Sequence, residues 1–213
     1  MAFDFPKIYP ILDASIIPTT GRAEYLRQLG SSLSDAGVTL LEYRNKTGSD
    51  AEIIADTAIL RAAMPEKKIK LILDDRLDLI ENLNFDGVHV DLGDAPPAEA
   101  RKLLGATRII GTFGGSEDLV PGILDQPADY FSIGPVFPTT TKHTIKPAIG
   151  PQGVHRLRAQ AGVKPVLVAV GGITLETARA VLAAGATTIA VAAGIFQAQD
   201  PAAEFRRWRT ALE

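Results

Sequence analysis

The chain has 213 residues, of which 46% are hydrophobic and 22% charged, and its formal net charge is −3. This length suits one compact domain, which we expect to span residues 1–213, and the charge excludes a global basic field for nucleic acid or an anionic membrane. The absence of cysteine excludes disulfides and thiolate chemistry, and the apolar runs are too short for a membrane span. Segment 1–10 lacks a signal-peptide pattern, so we expect a cytoplasmic protein.

Eight short β-rich runs alternate with amphipathic stretches, a pattern that predicts βαβ units and a parallel sheet. The runs are almost continuously apolar, as expected for strands covered on both faces. They cover residues 8–12, 39–43, 70–73, 87–90, 108–112, 130–133, 166–170 and 188–191. With a helix expected after each run, we predict an α/β fold, a single-domain (β/α)₈ TIM barrel; a doubly wound open sheet is the alternative.

Apolar residues three or four positions apart indicate the first and last helices. They are Tyr25, Leu26, Leu29 and Leu33 in the first helix and Phe205, Trp208 and Leu212 in the last. Gly37 and Gly185 stand where a helix must end and a buried strand begin. The one extended polar connection, residues 138–150, is predicted to be a functional loop.

Polar residues follow the strands, and in a (β/α)₈ barrel these positions meet at one mouth. The polar residues at the ends of the second, third and fourth runs and just after them are Glu42, Arg44, Lys46, Asp74, Asp75, His89 and Asp94. The later connections contribute Thr139, Thr141, Lys142, Gly172, Ala192 and Ala193. We therefore expect cations, carboxylates and glycines to share one rim.

The three cations suit a polyanion, because a guanidinium binds two oxygens at once and an ammonium acts as a mobile point charge. A single Lys or Arg on a loop is usually only solvated, so the prediction depends on the joint placement of Arg44, Lys46 and Lys142. Thr139 and Thr141 add hydroxyl donors, although a turn explains Pro-Thr-Thr-Thr almost equally well.

Asp75 and Asp94 are candidate Mg²⁺ ligands, since this ion takes one or two carboxylates together with water and phosphate oxygens. The alternatives are an ion pair of Asp75 with Arg76 and a helix cap by Asp94. His89 suits either a structural hydrogen bond or an acid role. Gly172 and the alanines suit a backbone phosphate site, although tight turns also require glycine.

Four stretches resemble the thiamine phosphate synthase family, in matching order and spacing along nearly the whole chain. They are Leu-Ile-Leu-Asp-Asp-Arg at 71–76, Asp-Gly-Val-His at 86–89, Gly-Pro-Val-Phe-Pro-Thr-Thr-Thr-Lys at 134–142 and Val-Ala-Val-Gly-Gly-Ile at 168–173. The resemblance implies a Mg²⁺-dependent transferase. Its two small-molecule substrates would be 4-amino-2-methyl-5-pyrimidinylmethyl diphosphate and a thiazole phosphate, and its products thiamine phosphate and pyrophosphate.

The resemblance also implies roles for individual residues. Asp75 and Asp94 match the magnesium carboxylates, and Arg44, Lys46 and Lys142 match the cations that hold the diphosphate. Positions lining the pyrimidine and diphosphate pocket are matched by His89, Tyr130, Thr139 and Thr141. The thiazole phosphate cradle is matched by Gly172, Ala192 and Ala193. The family is held to ionise the pyrimidinylmethyl C–O bond before the thiazole nitrogen attacks, which requires no covalent nucleophile.

There are four departures from the family pattern, one of which spans two residues. Glu42 replaces glutamine, Asp74 replaces asparagine, Asp91-Leu92 replaces Gly-Gln and Phe113 replaces a small serine. Glu42 is still expected to pair with the aminopyrimidine, and Phe113 to narrow the pocket. Asp74 places negative charge beside a diphosphate, which should weaken binding unless a metal offsets it.

Two other functions stay open. A thiazole tautomerase-like isomerase needs a titratable group after the fifth strand, and residues 112–116 contain no histidine. A non-catalytic barrel that binds a thiamine precursor would account for the departures. A sugar-phosphate epimerase is disfavoured, because the three histidines at 89, 143 and 155 do not supply its acid–base and metal set. The oligomeric state is also open, a homo-oligomer included.

Overall fold

The computed structural model describes residues 3–65, 67–91, 93–139 and 146–213. Eight parallel strands pair in chain order, and β8 pairs with β1 to close the barrel. The strands are β1 (Ile8–Asp13), β2 (Leu40–Arg44), β3 (Lys70–Asp74), β4 (Gly87–Val90), β5 (Ile109–Gly115), β6 (Tyr130–Ile133), β7 (Leu167–Val170) and β8 (Thr188–Val191). The predicted TIM barrel is confirmed, and the open-sheet alternative is wrong.

Helices cover the outside of the barrel. They are α1 (Arg22–Ala36), α2 (Asp50–Ala63), α3 (Pro97–Leu104), α4 (Gly150–Ala161), α5 (Leu175–Ala183), α6 (Ala193–Phe196) and α7 (Pro201–Leu212). Gly37 ends α1 in the left-handed conformation, as predicted. None of the helices in the described ranges has the length and apolarity that crossing a membrane would require.

The prediction of a helix after every strand is wrong at two positions. In segments 75–86 and 116–129, both fully described, β3 and β5 are followed by single turns of 3₁₀ helix at Ile80–Asn82 and Ile123–Asp125. The second segment contains Pro121, Gly122 and Pro127, which disfavour a continuous helix. Buried leucines of the first segment cover the barrel without a full helix.

The barrel interior and the outer shell form separate hydrophobic layers. The inner layer consists of Tyr9, Leu40, Ile72, Ile109, Tyr130, Val168 and Ala190. Phe5 lies edge-on to Tyr130, with ring centroids 5.4 Å apart, and so extends this layer toward the N-terminal end. A Cβ at Gly111 would lie 2.0 Å from Tyr130 Cζ, so this glycine gives the tyrosine room to cross the interior.

Three arginines at the N-terminal end of the barrel repeat one pattern of contacts, which we call the arginine clamps. Arg61, Arg101 and Arg158 lie in α2, α3 and α4, and each donates to carbonyl oxygens just beyond its own helix. Each also donates to a polar side chain just before the second strand that follows. These acceptors are Asp86, Asp129 and Thr187.

Each acceptor of a clamp is also bonded to the neighbouring strand. Asp86, Asp129 and Thr187 accept backbone N–H groups from the start of β3, β5 and β7, at 2.9, 2.7 and 3.2 Å respectively. A clamp therefore ties one helix to two successive strands, which fixes their register at this end.

Candidate functional site

A cavity of about 670 Å³ opens at the C-terminal mouth of the barrel. Ten of the residues predicted for the site line it: Glu42, Arg44, Asp74, His89, Phe113, Tyr130, Thr139, Gly172, Ala192 and Ala193. Lys46 and Asp75 lie beside the cavity, paired with each other. Thr141 and Lys142 lie outside the described residues. The strand-end positions thus converge as the sequence predicted, whereas the roles of these residues stay predictions.

Hydrogen bonds between four strands form the floor of the cavity. The Tyr9 hydroxyl donates a hydrogen bond of 2.8 Å to Glu42 Oε2, and its oxygen lies 3.1 Å from the hydroxyl oxygen of Tyr130. That hydroxyl is 3.0 Å from His89 Nδ1, and His89 Nε2 is 3.7 Å from Asp91 Oδ1. We call these five residues the floor network. It links two buried acid–base groups, Glu42 and His89, through tyrosine hydroxyls.

The floor network shifts the acid–base properties of both groups. Burial, assisted by the charge of Asp74, raises the pKa of Glu42 to about 7, although His89 and the Tyr9 hydroxyl act in the opposite direction. Burial by itself lowers the pKa of His89, but the nearby carboxylates of Asp91 and Glu42 outweigh it and raise that pKa. Glu42 therefore exchanges its proton near neutral pH, and His89 keeps its proton to a higher pH than an ordinary histidine does.

The two predicted anion-binding cations on β2 and its following turn are held by carboxylates. Arg44 pairs with Asp13, and its Nε lies 3.4 Å from Asp74 Oδ2. Lys46 Nζ lies 3.0 Å from the same oxygen and also pairs with Asp75. Asp74 is 5% exposed, so its charge acts on both cations in a poorly solvated position.

Asp75 has two features of a ligand-binding residue. Among the described residues it is the only one other than glycine with a positive φ, which is 64°. Its Oδ1 is buried and accepts no hydrogen bond from the described residues, although Lys46 neutralises the other oxygen. Backbone strain and an unsatisfied buried oxygen are costly, and both are typical of functional sites.

The two alternatives considered for the candidate Mg²⁺ ligands, an ion pair of Asp75 with Arg76 and a helix cap by Asp94, are both wrong. Arg76 pairs with Asp50 and Asp78 instead of Asp75. Asp94 does not cap α3, which begins after Pro96 without a side-chain cap; it is exposed and accepts the Asp91 N–H at 2.8 Å. No three His, Asp or Glu side chains gather into a metal site within the described ranges.

The glycines after β7 form a tight turn. Gly172 has φ +60°, and a Cβ there would lie 2.3 Å from the carbonyl oxygen of Pro138. Turn geometry alone therefore requires glycine, which supports the structural alternative at this position. Ala192 and Ala193 line the same part of the cavity, where β8 leads into α6.

Sequence reasoning missed three residues of the site. Lys146 lines the cavity and places Nζ 3.6 Å from the ring centroid of Phe113, a cation–π contact. Asp13 follows β1 as the other acids follow their strands, so its position was a usable signal. Tyr9 gave no such signal, because an apolar strand without alternation does not reveal which side chains face inward.

The fold and the site together define a (β/α)₈-barrel enzyme with a charged, substrate-sized cavity at the C-terminal ends of its strands. The family model described as thiamine monophosphate synthase matches residues 8–195. The chain belongs to this family, which confirms the resemblance seen in the sequence and the transferase class predicted with it.

Individual relatives agree with this assignment. The chain is 38% identical over 192 residues to thiamine-phosphate synthase of Koribacter versatilis, covering 89% of each chain. It is 36% identical over 191 residues to that of Bacteroides fragilis, covering 88% of this chain and 93% of the relative. Thiamine phosphate pyrophosphorylase from Pyrococcus furiosus superposes with a TM-score of 0.75 at 27% identity, covering 97% and 95% of the two chains. A 3-hexulose-6-phosphate synthase, 17% identical with a TM-score of 0.68, shares the fold alone.

Proposed function

We propose that the protein is a Mg²⁺-dependent thiamine-phosphate synthase of the cytoplasm. It would join 4-amino-2-methyl-5-pyrimidinylmethyl diphosphate to 4-methyl-5-(2-phosphoethyl)thiazole, giving thiamine phosphate and pyrophosphate. One observation carries this proposal. A single cavity adjoins the cations that follow β2 and the small-residue rim that follows β7 and β8, so two phosphorylated substrates can be held together.

The reaction exchanges one bond for another. The C–O bond of the pyrimidinylmethyl diphosphate breaks, and its electron pair leaves with pyrophosphate. The thiazole nitrogen then donates its lone pair to form the C–N bond. Since no protein atom becomes bonded to substrate, the chain contributes by positioning the two substrates and stabilising the leaving charge.

The cations would exchange carboxylate partners for diphosphate oxygens. Arg44 and Lys46 already lie at the mouth, and Lys142, Thr139 and Thr141 are proposed to complete this subsite. Because Asp13 and Asp74 pair with the cations, diphosphate must compete with them. We therefore expect weaker diphosphate binding than an asparagine at position 74 would permit.

Asp75 and Asp94 are the residues proposed to hold Mg²⁺. The unsatisfied Oδ1 of Asp75 suits a hard cation, and the exposed carboxylate of Asp94 remains accessible. Two carboxylates suffice, because Mg²⁺ in such sites also takes water and phosphate oxygens. When bound, the ion would add positive charge beside the departing pyrophosphate.

The floor network and the rim suit the two rings. Glu42 and Tyr9 present hydrogen-bonding groups at the cavity floor, where an aminopyrimidine could be recognised, and Phe113 narrows the wall. His89 and Tyr130 would support that floor. The backbone near Gly172, Ala192 and Ala193 would receive the thiazole phosphate.

A non-catalytic precursor-binding barrel is the second candidate, because Arg44 and Lys46 are neutralised by acidic side chains. To separate the two, the protein is incubated with both substrates and Mg²⁺ while thiamine phosphate and pyrophosphate are followed together. A synthase releases both in equal amounts, and Asp94→Ala and Lys142→Ala abolish them. Lys164→Ala, an exposed lysine on the α4–β7 connection, is the matched control and should keep full activity. Binding of both substrates without either product would support the second candidate.

A further inference from the structure

Side chains of β2 alternate between the cavity and the helical shell. Glu42 and Arg44 line the cavity, whereas Tyr43, 1% exposed, packs in the outer layer. Asn45 follows, 9% exposed, between the two cations Arg44 and Lys46. Asn45 is thus a buried polar side chain between two charged residues of the mouth.

A buried ion pair lies behind this strand end. Asp56 of α2 is 2% exposed, and the Arg22 Nε–H is shared between its two carboxylate oxygens, each at 3.0 Å. Arg22 Nη2 adds a further bond of 2.6 Å, and the Tyr43 hydroxyl donates at 2.5 Å. The pair thereby joins α1, α2 and β2 at a point directly outside the mouth.

Asn45 connects this pair to the turn that carries Lys46. Its Nδ2 donates to the Tyr43 hydroxyl at 3.0 Å and to Glu52 Oε1 at 2.8 Å. Its Oδ1 accepts the backbone N–H groups of Thr47 at 3.3 Å and Gly48 at 2.8 Å. The side-chain amide is thus bonded on both sides, toward the core and toward the turn.

Gly48 shows how closely the turn closes over this amide. A Cβ at position 48 would lie 2.3 Å from Asn45 Nδ2 and 2.6 Å from Glu52 Oε1. Any other residue would therefore displace the asparagine or the turn, although Gly48 does not itself line the cavity.

We propose that Asn45 is a positioning residue for diphosphate binding: supported by Tyr43, Asp56 and Arg22, it holds the turn of residues 45–48 so that Arg44 and Lys46 face the mouth. The inference rests on the proposed function for the identity of the ligand. Because Asn45 bonds the backbone at Thr47 and Gly48, it fixes the chain on the far side of Lys46 as well as on the near side. Fixed cations bind an anion more tightly than mobile ones, because less side-chain and loop entropy is lost.

The test measures the dissociation constant of pyrophosphate with Mg²⁺ by calorimetry, together with KM for each substrate. Asn45→Ala should weaken pyrophosphate binding about tenfold and raise KM for the diphosphate substrate similarly, with KM for the thiazole phosphate unchanged. Gly48→Ala should shift the same two quantities in the same direction without removing a polar group. Asp86→Asn, a buried carboxylate at the opposite end, should lower stability and leave both KM values unchanged.

Two outcomes overturn the inference. One is pyrophosphate binding at the wild-type level in folded Asn45→Ala and Gly48→Ala; the other is an equal rise of both KM values. If Asn45→Ala does not fold, Tyr43→Phe and Gly48→Ala decide the matter by the same readout. If the wild type itself binds no pyrophosphate while folded, the proposed function fails first and the inference fails with it.

Discussion

The two ends of the barrel treat buried carboxylates in opposite ways. At the N-terminal end, Asp86 accepts from Arg61, from Lys70 Nζ at 2.7 Å and from a backbone N–H, so its charge is fully compensated. At the mouth, Asp75 has an unsatisfied oxygen and Glu42 has a raised pKa. The fully bonded carboxylate of Asp86 fixes the frame, whereas the unsatisfied oxygen of Asp75 and the raised pKa of Glu42 give capacity to bind a cation and a proton.

The largest effect is expected at the compensated end. Asp86→Ala leaves Arg61 and Lys70 without their buried partner and should lower the free energy of unfolding by about 3–5 kcal/mol. Urea unfolding measures this, and activity per folded molecule should remain at the wild-type level. A variant as stable as the wild type would contradict the assignment of Asp86 to the frame.

A substitution at Glu42 should, by contrast, raise the free energy of unfolding. Its folded pKa of about 7 exceeds its ordinary 4.5, so its contribution to stability is full below the lower value and is lost as pH rises through the upper one. Glutamine does not ionise, so Glu42→Gln avoids this loss. The free energy of unfolding of the variant should exceed that of the wild type by about 1 kcal/mol at pH 5 and by about 3 kcal/mol at pH 8. Urea unfolding of both proteins across this range measures the difference; a gain independent of pH would contradict the raised pKa.

Asp75 tests whether the unsatisfied oxygen at the mouth serves function. Asp75→Ala should lower kcat/KM by on the order of 100-fold, about 2.7 kcal/mol. It should also lower stability modestly, because alanine tolerates a positive φ less well than aspartate and Lys46 loses a partner. Activity is followed by release of both products at several Mg²⁺ concentrations. A variant with unchanged kcat/KM at limiting Mg²⁺ would exclude Asp75 as a ligand.

The smallest effect is expected at Asp74. Asp74→Asn removes a charge that competes with the diphosphate for Arg44 and Lys46, and should tighten pyrophosphate binding roughly fivefold, about 1 kcal/mol. Titration calorimetry in the presence of Mg²⁺ measures the change. Weaker binding would instead mean that Asp74 itself contributes to holding Mg²⁺.

Much of this molecule could be predicted from its sequence, because strand and rim positions follow local rules. The runs 87–90, 130–133 and 188–191 agree with the strands, and β2 lies one residue later than the predicted run 39–43. The ion pairs of Arg44 with Asp13 and Asp74 depend on distances across strands, which no local pattern encodes. For the same reason the contact of Lys146 with Phe113 was missed.

The arginine clamps have a consequence for the order in which the chain folds. They join residues 25, 28 and 29 positions apart, whereas the bond from Thr188 to Pro6 at barrel closure spans 182 positions. Closing a longer loop costs more entropy. Neighbouring strand and helix units are therefore expected to assemble first, before β8 pairs with β1 and closes the barrel. The cavity needs Tyr9 from the first strand and Ala192 from the end of the last. Synthase activity should therefore recover later than helical circular dichroism during refolding, since the complete cavity forms only after the barrel has closed.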